Sequence, residues 1–185
     1  MNDLMIDLET MGTGPNAAIV AIGAVLIDLD AGTLCDTPFY SPVRLEDSVS
    51  HGLTMDAGTV MWWLRQSDAA RAAISSSEAS PPGGSLQWAL NTLRWYIEKY
   101  SDPKSVRVWG NGASFDCVIL ANAYRAIGKQ PPWRYYNERC YRTVKALHPD
   151  VPMEREGTHH QALHDAMSQA RHLVAMLCGK EQPAC

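Results

Sequence analysis

The chain lacks most of what would tie it to a membrane, a disulfide scaffold or a duplex surface. Its five cysteines, Cys35, Cys117, Cys140, Cys178 and Cys185, are odd in number, widely spaced and form no CxxC pair. Neither a disulfide framework nor a zinc knuckle is indicated, and a reducing compartment fits. No apolar run approaches the roughly 20 residues that cross a bilayer. The opening MNDLMIDLET carries carboxylates where a secretory leader would carry lysines and an apolar stretch. A basic excess is missing too: Lys plus Arg number 16 against 20 Asp plus Glu, a net charge of -4. That argues against a wide basic face coating duplex nucleic acid, though not against a local, cation-assisted grip on phosphate. These absences predict a cytoplasmic protein with no membrane partner.

What is present is ordinary soluble composition, 46% hydrophobic and 19% charged over 185 residues. The length predicts one domain, 1–185, with a core of about 3–178, able to bury roughly 70% of its unfolded surface. Leu4 to Leu8 and Ala17 to Leu29 read as buried strands; after the Asp30-Ala31-Gly32 turn, Thr33 to Val43 reads as a third strand in an antiparallel meander. Helical spacing follows from Thr59 to Ile74 and from Ser85 to Tyr100, with the loop-like SSSEASPPGG, residues 75–84, between them. Val106 to Trp109, GNGASFD and Val118 to Ile127 form a strand, turn and helix. Trp133 to Leu147 mixes aromatic and basic residues, with Cys140, Val144 and Leu147 as the core face if it is a helix. A last helix runs from about His160 to Leu177, and the tail after Gly179 is expected to fray. No repeat is present, and the order of elements predicts an α/β fold around one mixed sheet.

Three features carry chemistry. Asp7 and Glu9 close the first strand, and alternation puts residues i and i+2 on one face. Two carboxylates projecting from an apolar element need a neutralising partner, for which a divalent cation with oxygen ligands is the usual remedy. Taken alone, DxE is more often a surface pair beyond a strand end, and the apolar flanks favour the site. Asp116 lies in a strand-to-helix turn, where open sheets bind ligands, although Ser114 or Asp116 could equally cap the helix. Finally, His159, His160, His164 and Asp165 open the last helix. His160 and His164, at i and i+4, would share a helix face as a zinc pair, but no third ligand pattern supports it. His148 and His159 read as solvated residues.

Together these features resemble the DEDDh 3′-to-5′ exonucleases of RNase H-like fold: Asp7 and Glu9 match the DxE motif, Asp116 the second aspartate, and His160 with Asp165 the HxxxxD motif. HQALHDA is similar to the family's HxAxxDA. Trp62-Trp63 after HGLT, GNGASFD and ERCYRTVKAL resemble the RNase T-like exoribonucleases of bacteria and phages. One departure is that Gly112, not asparagine, stands four residues before Asp116, with Asn111 preceding it.

The resemblance implies hydrolysis of single-stranded RNA from its 3′ end with two divalent ions, Mg²⁺ or Mn²⁺. Asp7, Glu9, Asp116 and Asp165 would hold the ions and His160 would act as general base. Thr10, Met11, Gly12, Leu53, Trp62 and Trp63 would meet the nucleotide, although one of the adjacent tryptophans is expected to pack inward. Trp133, Arg134, Tyr135, Tyr136, Arg139 and Arg142 offer a further aromatic and basic surface. A homodimer follows from RNase T and oligoribonuclease relatives. RNA is favoured over DNA as partner. The alternatives are a single-strand DNA exonuclease, a non-catalytic binding module on the same fold, and a zinc hydrolase using His159, His160 and His164.

Overall fold

Alternation along the first strand sets the layering of the molecule. The structure, a computed structural model, describes residues 1–75 and 84–179. In β1 (Asp3–Thr10), Leu4, Ile6 and Leu8 point into one apolar core and Met5 into a second, on the opposite side of the sheet. The larger core is closed by α4 (Leu86–Tyr100) and α5 (Asp116–Ala126), the smaller by α7 (Ala162–Cys178) with Trp109 and Tyr141. Asp7 and Glu9 continue the Met5 side toward the strand's end, so the carboxylates stand beside α7.

Among the described residues the sheet has six strands, in the order β3 (Thr33–Leu34), β2 (Ile19–Asp28), β1, β5 (Arg107–Gly110) and β6 (Glu138–Cys140), with β4 (Phe39–Pro42) also pairing β2. Here β2 is antiparallel to β1, β3 and β4. β5 is parallel to both β1 and β6. This is the mixed α/β, RNase H-like arrangement the motifs imply. Asp3, 1% exposed, accepts from the guanidinium of Arg107 and from Trp109 Nε1 at 2.7 Å, pinning β1 to β5.

Several elements differ from the sequence reading. The expected strand Thr33 to Val43 is two pieces, because Asp36-Thr37-Pro38 interrupts the ladder and proline has no donor to give it. A short α1 (Leu45–Ser50) is additional. The long helix from Thr59 divides into α2 (Ala57–Trp63) and α3 (Asp68–Ser75); Asp56 caps the first through Thr59 N–H at 2.6 Å, and Ser67 Oγ accepts Ala70 N–H at 3.2 Å. Trp133 to Leu147 contains a 3-10 turn (Tyr135–Asn137), strand β6 and helix α6 (Tyr141–Leu147). Tyr141 is its buried residue and Leu147 is exposed. Residues 76–83 of the expected loop and 180–185 of the expected frayed tail lie outside the described residues. Among the described residues no helix is long and apolar enough to cross a membrane.

Gly23 fixes how closely α7 approaches the sheet. It pairs with Asp7 across β1 and β2, and a Cβ there would collide with the backbone of Ala162 and Leu163. Without a side chain at this point, the first turn of α7 rests on the sheet beside Asp7, which carries Asp165 to the carboxylates. Gly23→Ala is expected to cost about 1–3 kcal/mol, as overpacking does. It should also weaken Mn²⁺ binding, because it lifts the helix that bears Asp165. Thermal unfolding and calorimetric Mn²⁺ titration of the variant test both, and a variant with wild-type values of each would contradict this account of α7.

Candidate active site

The carboxylates gather at the end of the sheet where β1 and β5 both finish, the edge at which open α/β sheets place ligands. Asp7 and Glu9 come from the sheet and Asp165 from the first turn of α7; one oxygen from each lies within 4.8 Å of the others. Asp116 arrives from the opposite layer, at the start of α5. Gly110 makes room for it, since a Cβ there would stand 2.9 Å from the Asp116 side chain. The capping alternative for Ser114 and Asp116 is not realised: α5 has Phe115 at its N-cap with no side-chain cap bond.

Burial and neighbouring carboxylates raise the proton affinity of Asp7 and Glu9, and burial raises that of Asp116. Burial, then Asp116, Glu9 and Asp165, pushes Asp7 well above the ordinary carboxylate range, against the lowering effect of Gln169. Burial, followed by Asp165 and Asp116, takes Glu9 up to about 8. Asp116 is pushed up to about 7 by burial, although backbone N–H groups of Leu8, Asp116 and Asn111 and the charge of Arg142 oppose the shift. Such a cluster is an unbalanced negative charge that cations would neutralise.

The neighbouring polar groups fit that need. Gln169, one helical turn past Asp165 and 4% exposed, donates Nε2 to Asp7 Oδ1 at 2.8 Å. Its Oε1 is buried without a hydrogen-bond partner among the described residues. A buried acceptor in that state is costly, and a water held on a cation beside Asp7 would supply the missing donor. Arg155 Nη1 meets Asp165 Oδ1 at 2.7 Å from an exposed position, so its guanidinium is a solvent-accessible counter-charge. Sequence reasoning missed both residues. The i+4 spacing from Asp165 was the available signal for Gln169, and none existed for Arg155.

His160 precedes α7 instead of opening it. Its backbone is left-handed, φ 62, and its N–H donates to Asp165 Oδ2 at 2.8 Å. The expected face shared with His164 therefore does not form: α7 starts at Ala162 with Gln161 as cap, and His164 Nδ1 accepts Thr158 N–H at 3.0 Å. His160 instead stacks on exposed His159, with centroids 3.7 Å apart, and meets the edge of Trp62 at 4.8 Å. Burial first, and then the neighbouring His159 and Arg155, hold its imidazole below the usual histidine range, while Asp165 pulls the other way.

Beside Glu9 lies a cleft of about 510 Å³ lined by Thr10, Gly12, Asp56, Trp62, Trp63 and Phe115, among others. Trp63 is the inward-packing member of the pair and Trp62 the exposed one. Trp63 Nε1 donates to Thr10 O at 2.9 Å, tying α2 to the end of β1. Asp56 completes the tie by accepting Thr13 N–H at 2.9 Å as well as capping α2. Met11 and Leu53, expected at the nucleotide, are buried and absent from this lining. Asp56, Thr59 and Phe115 are lining residues that the sequence reading did not single out. Arg142 borders the Asp116 side, where its Nη2 donates to Asn111 O at 2.6 Å.

Residues 2–177 match the family model of the Rv2179c-like 3′-5′ exoribonuclease domain. An exodeoxyribonuclease of Enterobacteria phage T4 is 28% identical over 168 residues, 80% of this chain and 72% of the phage protein. The nuclease domain of 3′hExo, a DEDDh family member bound to rAMP, shares the fold with a TM-score of 0.64 at 14% identity, covering 96% of this chain and 92% of that one. Exonuclease X, in complex with 5′ overhanging duplex DNA, superposes with a TM-score of 0.57 at 17% identity over 97% and 95%. Fold and motifs define a DEDDh 3′-5′ exonuclease, a phosphodiester hydrolase. The chain belongs to the Rv2179c-like 3′-5′ exoribonuclease family.

The acid cluster makes stability depend on pH and cations together. Glu9 and Asp116 keep their protons in the folded chain up to about 8 and about 7, against ordinary values of 4.5 and 3.8. The folded chain therefore binds more protons than the unfolded one across that window, and stability falls as pH rises through it. In EDTA the unfolding temperature should drop between about pH 5 and about pH 8 on their account, and Mn²⁺ should raise it more at the higher pH. Calorimetry at both pH values with and without Mn²⁺ checks this; a smaller Mn²⁺ effect at the higher pH would contradict it.

Proposed function

We propose that this chain, acting as one domain over 1–185, removes nucleotides from the 3′ end of single-stranded RNA with two divalent cations, Mg²⁺ or Mn²⁺. The observation that carries the reading is the convergence of Asp7, Glu9 and Asp165 within 4.8 Å beside the tryptophan-lined cleft. Asp7, Glu9 and Asp165 would hold one ion, with Asp7 shared by a second near Asp116. When bound, the ions supply charge neutralisation at the phosphate and a lowered pKa for water.

The chain's own residues do the rest. The terminal nucleoside enters the cleft, with the exposed Trp62 as a stacking surface and Thr10 and Gly12 as the wall next to Glu9. The family's description supports RNA over DNA. The DNA reading keeps support from the phage exodeoxyribonuclease relative and from Exonuclease X on DNA. His160 takes the proton of the attacking water on its imidazole, which its lowered proton affinity keeps neutral and able to accept at neutral pH. Asp165 orients that histidine through its backbone N–H. The homodimer implied by RNase T-like relatives belongs to the same proposal, with sedimentation as its test.

Asp7→Asn should leave the fold intact and lower turnover by about a thousandfold, and EDTA should abolish activity. His160→Ala should lower turnover by about 10²–10⁴, with little change in metal affinity. End-labelled RNA and DNA oligomers, with and without a 3′-phosphate, read the rest: RNA with a free 3′-hydroxyl should be degraded fastest and the 3′-phosphate should block. Near-normal turnover of Asp7→Asn, or mononucleotides released first from the 5′ end, would overturn the reading.

A further inference from the structure

Two sets of metal-capable side chains meet at Asp165. One is all-oxygen, Asp7, Glu9 and Asp165; the other is His159, His160 and Asp165, again with one ligand atom from each within 4.8 Å of the others. The second set forms because the left-handed turn at His160 leaves the rings of two successive residues stacked on one side of the chain, 28° apart in plane. His160 is held by the edge of Trp62 and by its N–H bond to Asp165, while His159 lies exposed and free to adjust. The segment leading into the pair is fastened to α7: Glu156 N–H donates to Ser168 Oγ at 3.1 Å, Thr158 N–H to His164 Nδ1, and Gly157 lies against the His164 ring. His164 is thereby committed elsewhere, which leaves three ligands and not four.

Donor type separates the two sets. Mg²⁺ and Mn²⁺ suit carboxylate oxygens, whereas two imidazoles and a carboxylate suit Zn²⁺ and neighbouring borderline cations, with a fourth position left for water. Bond lengths of about 2.0–2.2 Å put ligand atoms about 3.3 Å apart in a tetrahedral site, so ligand atoms already within 4.8 Å of one another would draw together by at most about 1.5 Å. Asp165 Oδ1 would exchange Arg155, whose exposed guanidinium can swing into solvent.

We propose that His159, His160 and Asp165 form a Zn²⁺ site whose occupation switches the exonuclease off. Resting on the reading above, the inhibition has two sources. A cation on His160 takes the lone pair that would accept the water's proton, and Asp165 is drawn away from Asp7 and Glu9. Zn²⁺ would act here against Mg²⁺ through the one ligand the two sets share, Asp165.

His159 is the residue to change, since it stands outside the catalytic set. His159→Asn should retain the Mg²⁺-supported rate within about twofold, and its inhibition by Zn²⁺ should weaken by about 10–100-fold, at least the usual effect of losing an outer-shell partner. Independently of activity, Co²⁺ added to Mg²⁺-loaded protein should give visible absorption bands of a nitrogen-ligated, four-coordinate ion, and these bands should vanish in His159→Asn. Equal Zn²⁺ inhibition and an unchanged Co²⁺ spectrum in the variant would overturn the site. If the Co²⁺ bands depend on His159 but the Mg²⁺-loaded protein degrades no nucleic acid, the metal site stands and the exonuclease reading falls.

Discussion

Packing carboxylates against one another at the edge of an apolar sheet is the constraint from which the rest of this structure follows. Glu9, Asp116 and Asp165 are each under a tenth exposed, and Asp7 joins them from the same strand as Glu9. Like charges in such surroundings are unfavourable unless protonated or neutralised. The fold answers with fixed dipoles and movable charges. Gln169 donates to Asp7, backbone amides face Asp116, and two arginines approach from the rim, Arg155 at Asp165 and Arg142 beside Asp116. None removes the imbalance, since Glu9 still rises to about 8. A chain that keeps this arrangement carries a local strain that protons or cations relieve, which links stability and chemistry at the same atoms.

Close approach is the second requirement, and two glycines meet it. Gly23 lets α7 sit on the sheet opposite Asp7, and Gly110 lets the Asp116 side chain lie over the end of β5. Each removes a Cβ where two layers converge, so the carboxylates of strand and helices reach each other across a sheet that would otherwise hold them apart. The cleft is joined to the same edge by hydrogen bonds as well as by the packing of Trp63 into the larger core. Trp63 holds Thr10 O and Asp56 holds Thr13 N–H, so α2 and the chain after Glu9 form one wall.

The sequence made the motif residues legible because each lies in a strong local pattern: alternation places Asp7 with Glu9, and Asp116 falls in a strand-to-helix turn. The mixed sheet and the inward turn of one tryptophan were readable for the same reason. What escaped depends on partners distant in the chain. β6, three residues long, exists only through its pairing with β5, and Arg155 has meaning only once its loop is folded over Asp165. The start of the last helix was misread because His160 continues an apparent helical spacing. Gln161, accepting His164 N–H at 2.7 Å, caps the helix later and puts His160 in a left-handed turn. Met11 and Leu53 carried an expected nucleotide contact, but apolar residues beside a cleft are also the residues that pack behind it.

That misreading bears on how the histidine can work. On the first turn of a helix, His160 would be aimed by helical geometry alone, one residue among several on a common face. In the observed turn its direction is set by Asp165, whose Oδ2 accepts its N–H, and by the Trp62 edge. The group proposed to take the proton and a carboxylate proposed to hold a cation are therefore positioned by one shared bond. The loop before them is anchored further back by buried His172, which bridges Tyr141 Oη at 2.7 Å and Val151 O at 2.8 Å. A displacement of α7 would carry Asp165 and His160 together off Asp7, Glu9 and the Trp62 edge, because Trp62 stays with α2, which Trp63 ties to β1.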